Sequence, residues 1–176
     1  KFVFAGSSSV YHDMYANPYS FSKQIGESYG VLWNKIYKVP VAIARFFNVY
    51  GPRQIETGPY STVIGVFLDQ KRRNVPLTIT GDGKQRRDFT HVNDIVSGLI
   101  AMSKDEWDGH IFDLGTGINH SIAEMFKHPI QYIPKRPGEA QDTKANIHDT
   151  KALLGWRPTH RLEDYISPEL CKCTHS

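Results

Sequence analysis

Short apolar runs separated by longer amphipathic stretches set the frame of this chain. Phe2 to Ala5, Val39 to Phe47 and Ile111 to Leu114 are bounded by Ser, Pro, Asn or Gly, which predicts strands buried on both faces of a parallel sheet. Between the first two, Ile25, Tyr29, Leu32, Trp33 and Ile36 recur at three and four. That spacing predicts a helix from about Tyr19 to Tyr37, opened by Asn17 as cap and Pro18 in the first turn. Strand, helix and strand in this order make a parallel crossover unit.

Further along, the pattern predicts a helix over Thr62 to Arg73, a strand over Leu77 to Thr80 and a turn at Gly81-Asp82-Gly83. A helix over Val92 to Met102 leads to the Ile111 strand, which ends in Gly115-Thr116-Gly117. Ser121 followed by Glu124 has the form of a capping box, so a short helix is expected there. Ile130 to Ile133 reads as a small strand, and Thr150 to Leu154 as a short helix stopped by Gly155 and Pro158.

Length changes the picture only by allowing one domain, or one and a half, with a real core: the chain has 176 residues. Charge changes it by exclusion. The 21 basic and 18 acidic residues are interleaved, so neither a nucleic acid nor a membrane surface is an expected partner. No stretch approaches the roughly 20 apolar residues of a membrane span and no leader pattern is present, which makes a cytoplasmic location the expectation. The two cysteines, Cys171 and Cys173, offer too few ligands for a metal site, and none is expected.

Candidate chemistry enters at Tyr19-Ser20-Phe21-Ser22-Lys23. On a helix, positions i and i+4 share a face, so the phenol of Tyr19 and the ammonium of Lys23 point toward one region. A nearby cation favours the phenolate, and a phenolate can take a proton from a hydroxyl. An ordinary solvated helix face has the same spacing.

Seven segments in order extend this. Ser7-Ser8-Ser9-Val10-Tyr11, the Tyr19/Lys23 pair, Arg45-Phe46-Phe47-Asn48-Val49-Tyr50-Gly51-Pro52-Arg53-Gln54, Gly81-Asp82-Gly83-Lys84-Gln85-Arg86-Arg87-Asp88-Phe89, Asp113 to Gly117, Arg136-Pro137-Gly138-Glu139 and Leu154-Gly155-Trp156-Arg157-Pro158 together resemble the NAD-dependent nucleotide-sugar epimerases and dehydratases, among the extended short-chain dehydrogenases. The resemblance is nearest to UDP-glucose 4-epimerases, notably at Pro59 to Ile64. It implies an α/β fold, a Rossmann-type parallel sheet represented by its last strands only, with a small α+β substrate-binding subdomain. Residues 1–55 and 89–118 would form the truncated Rossmann core, 56–88 and 119–166 the substrate subdomain, and 167–176 a tail.

The same resemblance implies roles. Tyr19 would be the general base, Lys23 would hold the nicotinamide ribose of NAD, and Ser7 would bond the reacting sugar oxygen. Phe46 would line the nicotinamide pocket. Ser9, Asn48, Thr62 and Val63 would meet a UDP-sugar, Thr78 and Ile79 would flank its base, and Arg87 and Arg136 would hold its diphosphate. Paired guanidinium forks suit a diphosphate, although an ion pair with Asp88 or Glu139 is the alternative for both arginines, and capping of the next turn is the alternative for Asn48. Family dehydratases carry an Asp-Glu pair where this chain has Ser8 and Ser9, which shifts the expectation to epimerisation.

The chain departs from the pattern in two places. The Gly-rich turn that receives the NAD pyrophosphate is not in it, so the resemblance covers the C-terminal half to two thirds of such an enzyme. The loop from His12 to Pro18 is also shorter than usual, with His12 at a common Gly. A sheet reduced to its last strands has a free edge, and the edge of the Phe2 strand is expected to be covered by another segment or chain. The Tyr19 helix is the face the family uses for pairing, so a homodimer is expected.

Overall fold

A computed structural model describes residues 1–136 and 138–171. In chain order the strands are β1 (Phe2–Ser7), β2 (Val41–Phe46), β3 (Val49–Tyr50), β4 (Leu77–Thr80), β5 (Arg86–Asp88), β6 (Thr90–His91), β7 (Asp108–Leu114), β8 (Asn119–Ser121) and β9 (Ile130–Ile133). The helices are α1 (Pro18–Tyr37), α2 (Val63–Arg72), α3 (Val92–Lys104), α4 (His148–Leu154) and α5 (Leu162–Cys171), with a 3-10 turn over Ser8–Tyr11.

The main sheet is parallel, in the order β1-β2-β7. Its central strand, β2, is almost wholly buried because α1 and α3 both pack on it. Three small pairs complete the fold: β3 with β6 and β4 with β9, both parallel, and β5 with β8, antiparallel. This is the expected α/β architecture with parallel sheets.

Local chemistry explains the boundaries. Asn17 caps α1 by accepting from the Ser20 amide at 2.9 Å, and Pro18 occupies the first turn. The helix stops at Lys38 in the left-handed region. β2 begins at Val41 rather than Val39 because Pro40 has no N–H to give to the ladder, although its carbonyl accepts from Phe2. β7 starts three residues before the apolar run, since Val41 and Ala42 pair with Asp108 and His110 by backbone alone.

The helix expected from Ser121 is absent, which corrects that reading. Ser121 ends β8, where its register partner is Arg86, and only a turn bond joins Glu124 N–H to the Ser121 carbonyl. Ile122 and Phe126 are drawn into a buried apolar cluster with Phe67, Leu77 and Ile79, and Ile122 N–H donates to Gln85, so tertiary contacts override the local cap. A second cluster fills the space between the main sheet, α3 and α4, joining Ala42, Phe47, Met102, Phe112, Leu114 and Trp156.

The outer edge of β1 is unpaired among the described residues. Beside it, Phe2, Phe4, Tyr29, Trp33 and Val41 line an apolar groove. No helix among the described residues is long and apolar enough to cross a membrane, and they contain no cluster of metal-ligating side chains. Pro137, Cys173 and the rest of the tail beyond Cys171 lie outside the described residues.

Candidate active site

Two clefts share a wall just after β2, and the first of them lies at the C-terminal ends of β1 and β2, where open parallel sheets hold their ligands. One, of about 390 Å³, is lined by Ser7, Ser8, Ser9, Tyr19, Phe46 and Thr143. The other, of about 340 Å³, is lined by Thr62, Val63, Thr78, Ile79, Arg136 and Glu139. Asn48, Val49 and Arg87 belong to both walls.

In the first cleft, Ser7 ends β1 and its Oγ accepts from the Ser9 amide at 3.2 Å, which starts the 3-10 turn. Ser9 Oγ is buried without a partner, a hydroxyl with unspent bonding capacity. Tyr19, in the first turn of α1, is 55% exposed and faces this cleft. Lys23 stands one turn on, its Nζ 5.7 Å from the Tyr19 ring centroid, 5.6 Å from that of Phe4, and bonded to the Ala5 carbonyl at 2.9 Å. Lys23 is outside the lining of both clefts, while the serines, Tyr19 and Phe46 share one. Among the described residues that lining carries hydroxyls, amides, the imidazole of His12 and one guanidinium, but no carboxylate.

In the second cleft, Thr62 caps α2, accepting from Gly65 N–H and donating to Gln54. Thr78 exchanges two bonds with the amide of Gln70, which fixes β4 on α2. Arg87 is nearly buried, donates to the Arg86 carbonyl and lies 3.6 Å from Glu139. Burial lowers its pKa, and Glu139 and Asp142 work against that. Glu139 is itself held by the Thr80 hydroxyl at 2.8 Å. The ion pair weighed as an alternative for Arg87 therefore exists, inside the cleft.

Asn48 occupies the shared wall with φ 32°, and its amide donates to the Asp88 carbonyl at 2.8 Å and to Thr143 at 3.1 Å. Its amide hydrogens therefore serve the protein, and Asn48 is a strap between the two clefts. Gln85 joins the second cleft without belonging to the expected site residues. This residue is 2% exposed, donates to the Thr80 carbonyl at 2.7 Å and has an Oε1 without a partner. Its position two before Arg87, on the same side of an extended segment, was the available signal.

The model of the NAD dependent epimerase/dehydratase family matches residues 1–115. Bacillus subtilis YtcB, described as an uncharacterized UDP-glucose epimerase, is 33% identical over 190 residues, covering 96% of this chain and 59% of its own. UDP-glucuronic acid decarboxylase 4 of Arabidopsis thaliana is 31% identical, covering 90% and 41%. The crystal structure of a Bacillus cereus UDP-glucuronic acid 4-epimerase with UDP-glucuronic acid and NAD superimposes with a TM-score of 0.86 at 28% identity, covering 98% of this chain and 60% of that one. The chain thus spans about half the length of the relatives it matches.

Proposed function

The chain belongs to the NAD-dependent epimerase/dehydratase family, and we propose that it carries the substrate-binding and proton-transfer part of a nucleotide-sugar epimerase, with a UDP-hexose as substrate. The observation that carries this reading is a hydroxyl-lined cleft, without a carboxylate among the described residues, joined through Asn48, Val49 and Arg87 to a second cleft that holds two arginines. Elimination of water needs an acid and a base beside the sugar, whereas inversion at one carbon needs only a base and a hydride acceptor.

In this mechanism Arg87 and Arg136 hold the diphosphate, Thr62, Val63, Thr78 and Ile79 enclose the nucleoside, and Ser7 and Ser9 bond the sugar. Tyr19 takes the proton of the 4-hydroxyl and returns it after the keto sugar has turned. NAD, when bound, supplies the hydride acceptor and donor at that carbon. Phe46 and Lys23 would hold its nicotinamide half. The aromatic wall at Phe46, and a Lys23 ammonium bonded once to Ala5 with two further hydrogens to give, fit such a group. Pairing through α1 into a homodimer, and a cytoplasmic location, belong to the same proposal.

Calorimetry tests it: UDP-glucose and NAD are each titrated into the protein. Binding of UDP-glucose, with weaker binding of NAD through its nicotinamide half alone, is the expected result. Tight UDP-glucose binding with no NAD binding favours a nucleotide-sugar binding fragment without turnover, and no UDP-glucose binding ends the proposal.

A further inference from the structure

One row of residues crosses the main sheet immediately beneath the sugar cleft. Gly6, Arg45 and Asp113 are register partners on β1, β2 and β7, each one residue short of the row Ser7, Phe46 and Leu114. Register partners in a parallel sheet share a face, and their successors take the other. Glu27 of α1 comes down onto this row. A Cβ on Gly6 would stand 2.8 Å from Glu27 Oε1 and 3.2 Å from the Ala44 carbonyl oxygen, so glycine lets the carboxylate come this close to the sheet.

Glu27 and Arg45 then form a forked pair. Nε of Arg45 lies 3.1 and 3.2 Å from the two carboxylate oxygens and Nη2 lies 2.7 Å from Oε2, with side-chain exposures of 3% and 13% for Glu27 and Arg45. The ring of Tyr11, the last residue of the 3-10 turn, covers the guanidinium at 4.5 Å. Its hydroxyl donates to Asp113 Oδ1 at 2.7 Å, and Asp113 Oδ2 accepts from Asn146 N–H. The chain of contacts runs from α1 through all three strands to the end of the serine turn.

We propose that Glu27, Arg45, Tyr11 and Asp113 form a positioning device that clamps the Ser7–Tyr11 turn and so fixes the serine hydroxyls at the sugar cleft. The inference rests on the reading of that cleft given above. A buried ion pair is a poor way to gain stability, since apolar residues of equal volume do as well, but its fork sets direction. Tyr11 supplies the link. Its two ends are held by unlike contacts, a cation against the ring and a carboxylate at the hydroxyl, so the turn has one resting place. Burial and the Asp113 acceptor raise its pKa, which keeps the phenol a donor.

The test replaces Tyr11 with Phe, leaving the ring on Arg45 and deleting the bond to Asp113. Amide exchange at Ser9 and His12, two of the N–H groups bonded within the turn, is expected to accelerate by roughly tenfold or more while α1 and β2 keep their protection. In calorimetry the variant should bind UDP within about twofold of wild type and lose the extra affinity of UDP-glucose over UDP. Asp113→Asn, read in the same two ways, provides the second variant. Unchanged exchange at Ser9 and His12, or acceleration spread equally over α1 and β2, overturns the device. If wild type binds no UDP, the functional proposal fails, and the exchange pattern alone decides whether the clamp exists.

Discussion

The Nδ1 of His160 lies 2.9 Å from Oδ1 of Asp94, at the start of α3, and the two residues tie the segment after α4 to that helix. Asp94 is buried and also accepts from the Thr159 amide and hydroxyl and from the His160 amide. Burial raises its pKa, but the bonds from His160 and Thr159 outweigh burial and leave it below the usual carboxylate value. A depressed carboxyl stabilises the fold above its unfolded pKa and loses that contribution as pH falls through the folded one. His91, stacked on His160 with centroids 4.2 Å apart, is lowered by burial and by the neighbouring imidazole. It stays neutral while the unfolded chain takes up protons, so stability should begin to fall below about pH 6.5 and fall again below about pH 4. Thermal melts across pH check this. Asp94→Asn should cost about 2–3 kcal/mol at pH 7, with a gap that narrows in acid. His91→Asn should flatten the first decline while its side-chain oxygen still caps Asn93, and a gap for Asp94→Asn that does not narrow at all in acid would count against the assignment.

Tyr19 is the proposed base, so Tyr19→Phe should lower turnover by about 10²–10⁴-fold in an assay with NAD and a UDP-hexose. Its affinity for UDP should stay within about twofold, because the phenol lines the first cleft and not the second. An unchanged rate removes Tyr19 from the mechanism.

Arg87 and Arg136 differ in setting but share a wall. Replacing either with Met should weaken UDP at least about tenfold, since each loses charge-assisted bonds to the diphosphate. Uridine, which has no phosphate, should bind both variants and wild type alike. Equal losses for uridine would mean that the arginines shape the cleft rather than hold an anion.

Gly115, directly after β7, admits nothing larger. A Cβ there would stand 2.2 Å from Ala145 Cβ, and Ala145 is fixed by its amide bond to Asp88 at 3.0 Å. Gly115→Ala should destabilise by about 1–3 kcal/mol, measured by urea unfolding. The same denaturant midpoint in both proteins would show that the segment can retreat.

Tyr29, Leu32, Trp33, Ile36 and Tyr37 leave a broad apolar stripe of α1 exposed. Trp33→Glu should shift the sedimentation equilibrium from dimer to monomer without lowering the melting temperature of the monomer. A monomeric wild type would remove the pairing role from α1.

The strands and helices that could be read in advance were those whose own residues state their surroundings. β2 carries an apolar run because α1 and α3 cover it, and α1 carries its cap in Asn17-Pro18. In β1 the same kind of run misleads, since Phe2 and Ala5 are exposed and Val3 and Phe4 only half-buried at the unpaired edge of the sheet. β5 could not be read this way. Arg86-Arg87-Asp88 looks like a solvated loop, yet Asp88 is fully buried, accepting from the amides of Thr116, Gly117 and Ala145. Those partners lie far along the chain, so nothing local announces them. α5 was missed because Pro168 stands inside it. At the site, the motif comparison brought Ser7, Ser9, Tyr19 and Phe46 to one cleft, but it did not reveal that Asn48 spends its amide on Asp88 and Thr143 or that Lys23 is bonded to Ala5.

The wall common to the two clefts has a use of its own. Because Asn48, Val49 and Arg87 are touched from both sides, two small molecules seated in the two clefts would be neighbours. A short tether between them would make the second association intramolecular, at an effective concentration on the order of millimolar. Fragments too weak to matter singly could be joined across those three residues into one inhibitor, and the width of the wall at Asn48 would set the length of the linker.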